Sequence, residues 1–368
     1  MKFSKRSLLL ASAAAFLVST AARADDYVDH AIAAAKAATA RADKWDGPTT
    51  GPKAVSAKKI VFVAGDLKNG GILGASEGVK EAAKAIGWTV IVIDGQGSVS
   101  GRTSAMSQAL TLKPDGIVVG GFDTKEQQVA FDTAAKSGAA VVGWHAGTRP
   151  GPEPEAGIFA NVTTLPQDVS ETAAFQAINE SNGKAGVIIF TDSQYEIALF
   201  KAHAMEAAIK KCGGCTVLEF VDSPIGESSQ RMPQLTTTLL QKYGDKWTHS
   251  LAINDLYFDF MGPSLASAGK KGDQAPRAIS AGDGSESAFQ RIRAKQYQAG
   301  TVPEPLNEQG WQLVDELNRA FAKEAWSGFV SKIHLVTADN VAFDGGDKNV
   351  FDPDNGYRDQ YKKIWGVK

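Results

Sequence analysis

The chain has 368 residues, more than a single hydrophobic core usually organises, which suits two domains. Hydrophobic residues make up 43% of it and charged residues 22%, with a formal net charge of −2 at pH 7. This balance is ordinary for a globular protein, and it argues against a strongly charged partner such as nucleic acid or an anionic membrane surface.

Residues 1–24 have the pattern of a cleavable secretory leader. Three basic residues, Lys2, Lys5 and Arg6, precede an apolar run from Leu8 to Val18, and a small-x-small ending leads to cleavage after Ala24. The run is about 11 residues, too short for the ~20 of a membrane-spanning helix. We therefore expect a soluble, periplasmic protein. An alanine-rich surface helix is the alternative interpretation of the same stretch.

Residues 25–57 are predicted to be an N-terminal extension outside the main fold. The stretch 27–44 is alanine-rich and helical in character, and Asp-Gly-Pro-Thr-Thr-Gly-Pro at 46–52 then breaks the helical pattern. This order predicts a short helix followed by a linker.

From about residue 58, short apolar runs alternate with amphipathic segments, a pattern that predicts buried parallel strands separated by helices. The first four predicted strands are Ile60–Ala64, Thr89–Ile93, Gly116–Gly120 and Ala140–Trp144. After residue 163 the alternation restarts with Gly186–Phe190, Thr216–Phe220, Leu251–Ile253 and Arg277–Ser280. The predicted fold class is α/β, with two doubly wound parallel-sheet lobes.

Polar residues follow almost every predicted strand, where the ligand site of an open α/β sheet lies. They include Asp66 and Asn69 in the first lobe, and Asn254 and Asp283 in the second. Carboxylates and amides can hydrogen-bond the hydroxyls of a sugar, and the ring of Trp144 can lie against its C–H face. Any single Asp or Asn after a strand is more simply explained as a turn or helix-cap residue. Only the whole set favours a carbohydrate.

Two cysteines, Cys212 and Cys215, lie three residues apart. In an oxidising compartment such a pair favours a local disulfide over a metal site. A thioredoxin-like redox pair is the alternative, but the cysteines lie between a predicted helix and a strand, whereas a reactive thiolate is stabilised at a helix start.

Several of these segments resemble the type I periplasmic sugar-binding proteins, the ribose-binding class. The resemblance begins at Lys59–Asn69 and includes Glu77–Gly87 and Ile93–Gln96. It continues, in the family's order, through Pro114–Val119, Ala252–Asp255, Ser280–Gly284 and Thr301–Leu306. The similarity spans about residues 58–337 and implies a ligand held by hydrogen bonds from both lobes.

The resemblance also implies individual binding residues. Asn69, Asn254 and Asp283 match family binding positions directly, whereas His145, Lys201 and Glu304 match in position but differ in residue type. Gly71 and Ile72 stand where the ribose binders have paired aromatic residues. These differences argue against ribose itself. We expect Asp66 and Trp144 to compensate for the binding residues that are replaced. The acidic set of Asp66, Asp283 and Glu304 leaves an amino sugar as an alternative ligand.

In this family the chain crosses between the lobes three times, which implies crossings near 161–163, 303–306 and 336–338. The expected first lobe is then 58–161 plus 305–336, and the expected second lobe is 162–304 plus 337–368. The family's mechanism implies a monomer that closes on its ligand and delivers it to the permease of an ABC importer in the inner membrane. Presentation of a sugar to a signalling receptor is the alternative.

The sequence gives little support to other classes of protein. Gly70–Gly78 lacks the glycine spacing of a dinucleotide site, and no phosphate loop is present, so we expect neither a cofactor nor an enzyme. No metal-ligand set emerges, because Asp352–Gly356 lacks the spacing of a calcium loop. A transcription regulator of the same fold would need an N-terminal DNA-binding segment in place of the leader.

Overall fold

A computed structural model describes residues 26–368, so the predicted leader and its cleavage site lie outside the described residues. Helix α1 covers 26–37. Within the described part of the chain, no helix combines the length and the apolar character needed to cross a bilayer.

The first lobe is built on a six-stranded sheet in the order β2-β1-β3-β4-β6-β5, in which only β5 runs antiparallel to its neighbour. Its strands are β1 (Lys59–Ala64), β2 (Thr89–Asp94), β3 (Gly116–Gly120), β4 (Ala140–Trp144), β5 (Gly151–Glu153) and β6 (Ile158–Val162). The helices between them are α2 (Gly70–Ala85), α3 (Val99–Thr111) and α4 (Gln128–Lys136). β3 is buried along its whole length because helices cover both faces of the sheet.

The second lobe repeats this plan. Its sheet has the order β12-β11-β10-β9-β7-β8, with β12 as the antiparallel edge strand. The first elements after the crossing are α5 (Pro166–Ser181), β7 (Gly186–Thr191), α6 (Glu196–Lys211), β8 (Thr216–Asp222), α7 (Ser228–Tyr243) and β9 (His249–Ala252). They are followed by α8 (Gly262–Ser267), β10 (Arg277–Ser280), α9 (Glu286–Arg293) and β11 (Gln298–Thr301). The predicted α/β class with two parallel-sheet lobes is confirmed.

The last four elements are divided between the lobes; they are α10 (Leu306–Ala322), β12 (Val336–Thr337), α11 (Val341–Asp344) and α12 (Tyr357–Trp365). α10 packs against α2 in the first lobe, whereas β12 pairs with β11 in the second. The third expected crossing therefore lies before 336, because Leu335 is already part of the second-lobe core.

The final helix corrects the expected placement of 337–368 in the second lobe. Tyr361 and Trp365 of α12 are buried in the first-lobe core, where Trp365 stacks on Trp311 of α10 with ring centroids 5.4 Å apart. The indole nitrogen of Trp365 also donates to Asp315 Oδ1 at 2.8 Å. The amphipathic pattern of the segment predicts a helix with one buried face, but it does not indicate which lobe covers that face.

The N-terminal extension joins the two lobes as well. Ala31 and Ala35 of α1 are fully buried in the second-lobe core, and Ala38 O accepts a hydrogen bond from Leu335 N at 2.8 Å. Further along, Val55 N donates to Asn318 Oδ1 of α10 at 3.0 Å, so this part of the extension lies on the first lobe. The chain thus crosses between the lobes five times rather than the three expected.

Cys212 and Cys215 are joined by a disulfide that closes the short turn between α6 and β8, with Cα atoms 5.3 Å apart. This is the local pairing that their spacing predicts.

Candidate functional site

A cleft of about 650 Å³, measured out to its mouth, lies between the carboxyl ends of the strands of both sheets. The side chains and glycines that line it come from both lobes: Asp66, Asn69, Ile72, Gly97, Gly121, Trp144, His145, Tyr195, Ile197, Ala198, Lys201, Ile225, Gly226, Ile253, Asn254, Leu256 and Asp283.

The structure brings the predicted site residues together. Asp66, Asn69, Trp144, His145, Lys201, Asn254 and Asp283 all line the cleft. Glu304 does not line it. It is 1% exposed and lies directly behind the lining, with its Oε1 3.2 Å from His145 Nε2.

In the first lobe, Asp66 and Asn69 are held by the turn that joins β1 to α2. Asn69 is the N-cap of α2, and its Oδ1 accepts from Gly71 N at 2.9 Å, which leaves its Nδ2 group as a donor for another partner. Asp66 Oδ1 accepts from Lys68 N at 3.0 Å. Burial raises the pKa of Asp66, and nearby Asp94 adds to this effect. Both residues thus serve the turn and still face the cleft.

In the second lobe, Asn254 and Asp283 form a pair. Asn254 Nδ2 donates to Asp283 Oδ2 at 2.5 Å, while Asn254 Oδ1 accepts from Leu256 N at 2.9 Å. Burial raises the pKa of Asp283, although the charges of His145 and Lys201 partly oppose it. Asp283 is thereby oriented by Asn254 and keeps its second oxygen, Oδ1, 3.8 Å from His145 Nδ1.

The rings of Trp144 and His145 stack on one another, with centroids 3.9 Å apart and planes 9° from parallel. The sequence predicted that the indole ring of Trp144 packs against a sugar. One face of that ring is instead covered by His145. Trp144 is also 1% exposed, and its Nε1 donates to Gln309 Oε1 at 2.7 Å. Trp144 consequently supports His145 from behind, in addition to lining the cleft.

Glu304 is the centre of a buried set of hydrogen bonds that we call the hinge network, made of Trp144, His145, Thr164, Glu304 and Gln309. Thr164, which lies in the first crossing, hydrogen-bonds Glu304 Oε2 through its hydroxyl and its N–H. Gln309 Nε2, in the first turn of α10, donates to the same oxygen at 2.6 Å. The network joins two crossings between the lobes to the end of β4.

Opposing effects act on the carboxyl group of Glu304. Burial is the largest, and it would raise the pKa of Glu304. The hydrogen bond and charge of His145, the charge of Lys201 and the hydrogen bond from Thr164 outweigh it, and they lower the pKa to about 2. Glu304 is therefore an ionised carboxylate at neutral pH.

Lys201 extends from α6 into the same region. It is 3% exposed, and its Nζ donates to Ala281 O at 2.9 Å, just before Asp283 in the chain. A lysine ammonium carries three donor hydrogens. The bond to Ala281 uses one of them, so Lys201 retains donors for a ligand in the cleft.

Several contacts join the lobes at the side of the cleft away from the hinge. We call them the clasp, which is made of Arg102, Asp123, Lys125, Tyr195 and Glu196. Arg102 Nη1 donates to Tyr195 Oη at 2.7 Å, and its guanidinium lies 5.1 Å from the centre of the Tyr195 ring. Asp123 Oδ2 accepts from Glu196 N at 2.7 Å, and Lys125 forms an ion pair with Glu196. Sequence reasoning missed Arg102, since a lone arginine on an amphipathic helix gives no signal of a contact between lobes.

Two glycines permit the close approach of the lobes. A Cβ atom at Gly71 would lie 2.4 Å from Asp283 Cβ, and one at Gly226 would lie 3.1 Å from Gly97 O. The sequence identified Gly71 only as a position where an aromatic residue of the ribose binders is replaced. In the structure, Asp283 packs against this glycine. The two lobes are thus in direct contact across the cleft.

Across residues 26–368, no group of three or more His, Cys, Asp or Glu side chains has the arrangement of a metal site. Asn254, Asp283 and Lys201 instead hydrogen-bond one another or the backbone.

The hinge network predicts a defined pH dependence for the variant Glu304→Gln. The pKa of Glu304 is lower in the folded protein than in the unfolded chain, so its stabilisation is complete above about pH 4.5 and is lost as the pH falls towards about 2. We expect the variant to lower the free energy of unfolding by about 3 kcal/mol at neutral pH. The difference from the wild type should shrink across that acid range in urea unfolding.

Glu286→Gln is the matched control, because Glu286 is exposed on α9 and bonds only Gln290. It should leave the free energy of unfolding nearly unchanged. A Glu304→Gln deficit that stays constant down to pH 2 would contradict the assigned role of the carboxylate.

Solved structures with the same fold include several sugar-transport proteins. An ABC transporter solute-binding protein from Agrobacterium vitis with bound allitol has a TM-score of 0.67 at 17% identity, covering 77% of this chain and 97% of that one. Another from Agrobacterium vitis, bound with alpha-D-tagatopyranose, has a TM-score of 0.69 at 13% identity, covering 80% and 99%. A glucose-galactose binding protein from Geobacillus stearothermophilus has a TM-score of 0.67 at 18% identity, covering 78% and 99%. At these identities the likeness establishes the fold.

No curated protein sequence matches the chain significantly. The family described as periplasmic binding protein domain matches residues 60–325, which include both sheets as far as β11 and every residue lining the cleft. The two-lobe fold, the cleft at the strand ends and this match agree. The chain belongs to the periplasmic binding protein domain family.

Proposed function

We propose that the protein is the periplasmic substrate-binding component of an ABC importer and captures a neutral monosaccharide or a close relative. The observation that carries this proposal is the convergence of hydrogen-bonding side chains from both lobes on one closed cleft. Asn69 and His145 approach from the first lobe, and Lys201, Asn254 and Asp283 from the second. Amide, carboxylate and ammonium groups together match the mixed donors and acceptors of sugar hydroxyls.

The charges at the hinge side of the cleft disfavour an anionic ligand. Asp283 and Glu304 lie beside His145, and the charge of Lys201 acts on both carboxyl groups. Asp66 adds a third carboxyl group, which lines the cleft. A buried charge without a partner is costly, so a further negative charge among these groups would be unfavourable. We therefore favour a neutral sugar or polyol, with an amino sugar as the alternative.

In the proposed cycle, the protein is exported, opens at the hinge, takes up the sugar on one lobe and closes over it. Closure brings Asp283 against Gly71 and forms the clasp between Arg102 and Tyr195, which together exclude water from the cleft. The closed monomer then delivers the sugar to a membrane permease, without chemical turnover. The solved structures with bound allitol and tagatopyranose support a sugar as the cargo. Presentation to a signalling receptor uses the same binding step.

A thermal-shift screen of the protein purified from the periplasm tests the proposal, with pentoses, hexoses, polyols, amino sugars, amino acids and nucleosides as probes. We expect at least one neutral sugar or polyol to raise the melting temperature, because a ligand that binds only the folded state stabilises it. Asp283→Asn should weaken binding of that compound about tenfold or more, since it removes a charged acceptor. Asp132→Asn, at an exposed site on α4, is the control. Stabilisation by amino acids or nucleosides alone would contradict a sugar ligand.

The closure step predicts the effect of Gly71→Ala. The added methyl group would collide with Asp283 only when the lobes are closed. The open protein should fold normally, because alanine favours a helix over glycine by about 1 kcal/mol. We expect about tenfold or weaker binding of the stabilising sugar in calorimetric titration, because the closed state becomes less populated.

Gly74→Ala is the matched control one turn later in α2. The atoms nearest to its methyl group would all belong to Leu306 of the same lobe. The variant should therefore alter the stability of the protein without weakening its binding of the sugar. Equal affinities of Gly71→Ala and the wild type would mean that the sugar does not require this closed arrangement.

A further inference from the structure

The two walls of the cleft differ in chemistry. The first-lobe wall combines the polar side chains of Asp66, Asn69 and His145 with Trp144, and Ile72 is its one aliphatic side chain among the lining residues. The second lobe contributes five aliphatic side chains from three separate segments, which we call the aliphatic wall: Ile197, Ala198, Ile225, Ile253 and Leu256. These side chains can pack on apolar groups of a ligand and cannot form hydrogen bonds with it.

The aliphatic wall extends towards the clasp. Ile197 lies one helical turn before Lys201, and the adjacent Glu196 N–H bonds Asp123 in the clasp. Ile225 precedes Gly226, which approaches Gly97 of the first lobe. Lys201 and Asp283 lie at the opposite side, beside the hinge network. The second-lobe wall therefore has polar groups beside the hinge network and aliphatic side chains towards the clasp, where it faces Asp66 and Gly97 of the first lobe.

The five side chains of the aliphatic wall offer no polar atom to a ligand. The polar groups beside the wall are Asp66, whose Oδ1 accepts from Lys68 N at 3.0 Å, and Tyr195, whose Oη accepts from Arg102 at 2.7 Å. A ligand hydroxyl that points at the aliphatic side chains and away from these two groups would lose water without gaining a hydrogen bond, which is unfavourable. A methyl group in the same place would gain from burial.

We propose, resting on the proposed function, that the ligand is a carbohydrate with a methyl group at one end, either the methyl of a deoxy sugar or that of a methylated hydroxyl. Its hydroxyls bind the polar side chains of the first-lobe wall and Lys201, Asn254 and Asp283. Its methyl group packs on the aliphatic wall beside Ile197 and Ile225. The aliphatic wall thereby selects among sugars that share the same ring hydroxyls.

Calorimetric titration of the periplasmic protein with matched sugars tests this inference. The pairs are L-rhamnose with L-mannose, L-fucose with L-galactose, and each parent hexose with its methyl glycoside. For the pair that binds, we expect the methyl-bearing member to bind about tenfold to a hundredfold more tightly. The deoxy and glycoside arms distinguish the two sources of the methyl group.

Binding of a parent sugar as tightly as its methyl-bearing partner would overturn the inference and leave the proposed function intact. If no carbohydrate in the thermal-shift screen or in these pairs binds, the proposed function fails and the inference fails with it.

The variant Ile225→Thr tests the wall itself. It places a hydroxyl on the aliphatic wall and should reduce the preference for the methyl-bearing sugar by about tenfold, while binding of the parent sugar changes less. Leu256→Thr gives the same comparison if Ile225→Thr does not fold. Ile91→Thr, at an exposed isoleucine of β2, is the matched control and should preserve the preference. An undiminished preference in both wall variants would contradict the assignment.

Discussion

The buried carboxylate of Glu304 is the constraint on which the hinge and the cleft depend. A buried charge must be paired and hydrogen-bonded, because isolation in a protein interior costs several kcal/mol. The partners of Glu304 are Thr164 in the first crossing, Gln309 at the start of α10 and His145 after β4. The same bonds that satisfy the carboxylate fix His145 on the face of Trp144 and direct it towards Asp283. Hinge geometry and cleft chemistry are thus specified together.

The N-terminal extension and α12 add two further connections between the lobes to the three crossings that were expected. The extension begins in the second-lobe core at α1 and continues onto α10, while α12 returns from the second lobe to stack on Trp311. Near these segments, Glu308 of α10 accepts from Ser331 and Asn355. Burial raises the pKa of Glu308 to about 7 despite those bonds. These segments therefore pack around the start of α10, next to the hinge.

Much of the fold could be predicted from the sequence, because strands buried on both faces appear as short continuous apolar runs, as at Gly116–Gly120. The lining of the cleft was predictable for a related reason, since polar residues such as Asn69 cap the helices that follow those strands. The contacts between lobes were not. Arg102, Gly71 and α12 acquire their roles from residues far away in the chain, and local patterning contains no information about such partners. Trp144 was predicted as a sugar platform, but the sequence could not reveal that its neighbour His145 stacks on it.

A crystal structure of the protein with its highest-affinity carbohydrate would show how the cleft is used. We predict one sugar between the lobes, with oxygens within hydrogen-bonding distance of Asn254, Asp283 and His145, and with its least polar end against Ile197 and Ile225. Glu304 should keep its bonds to His145 and Gln309 and make no contact with the sugar. A sugar bound outside the cleft, or one that displaces His145 to reach Glu304, would contradict this binding mode.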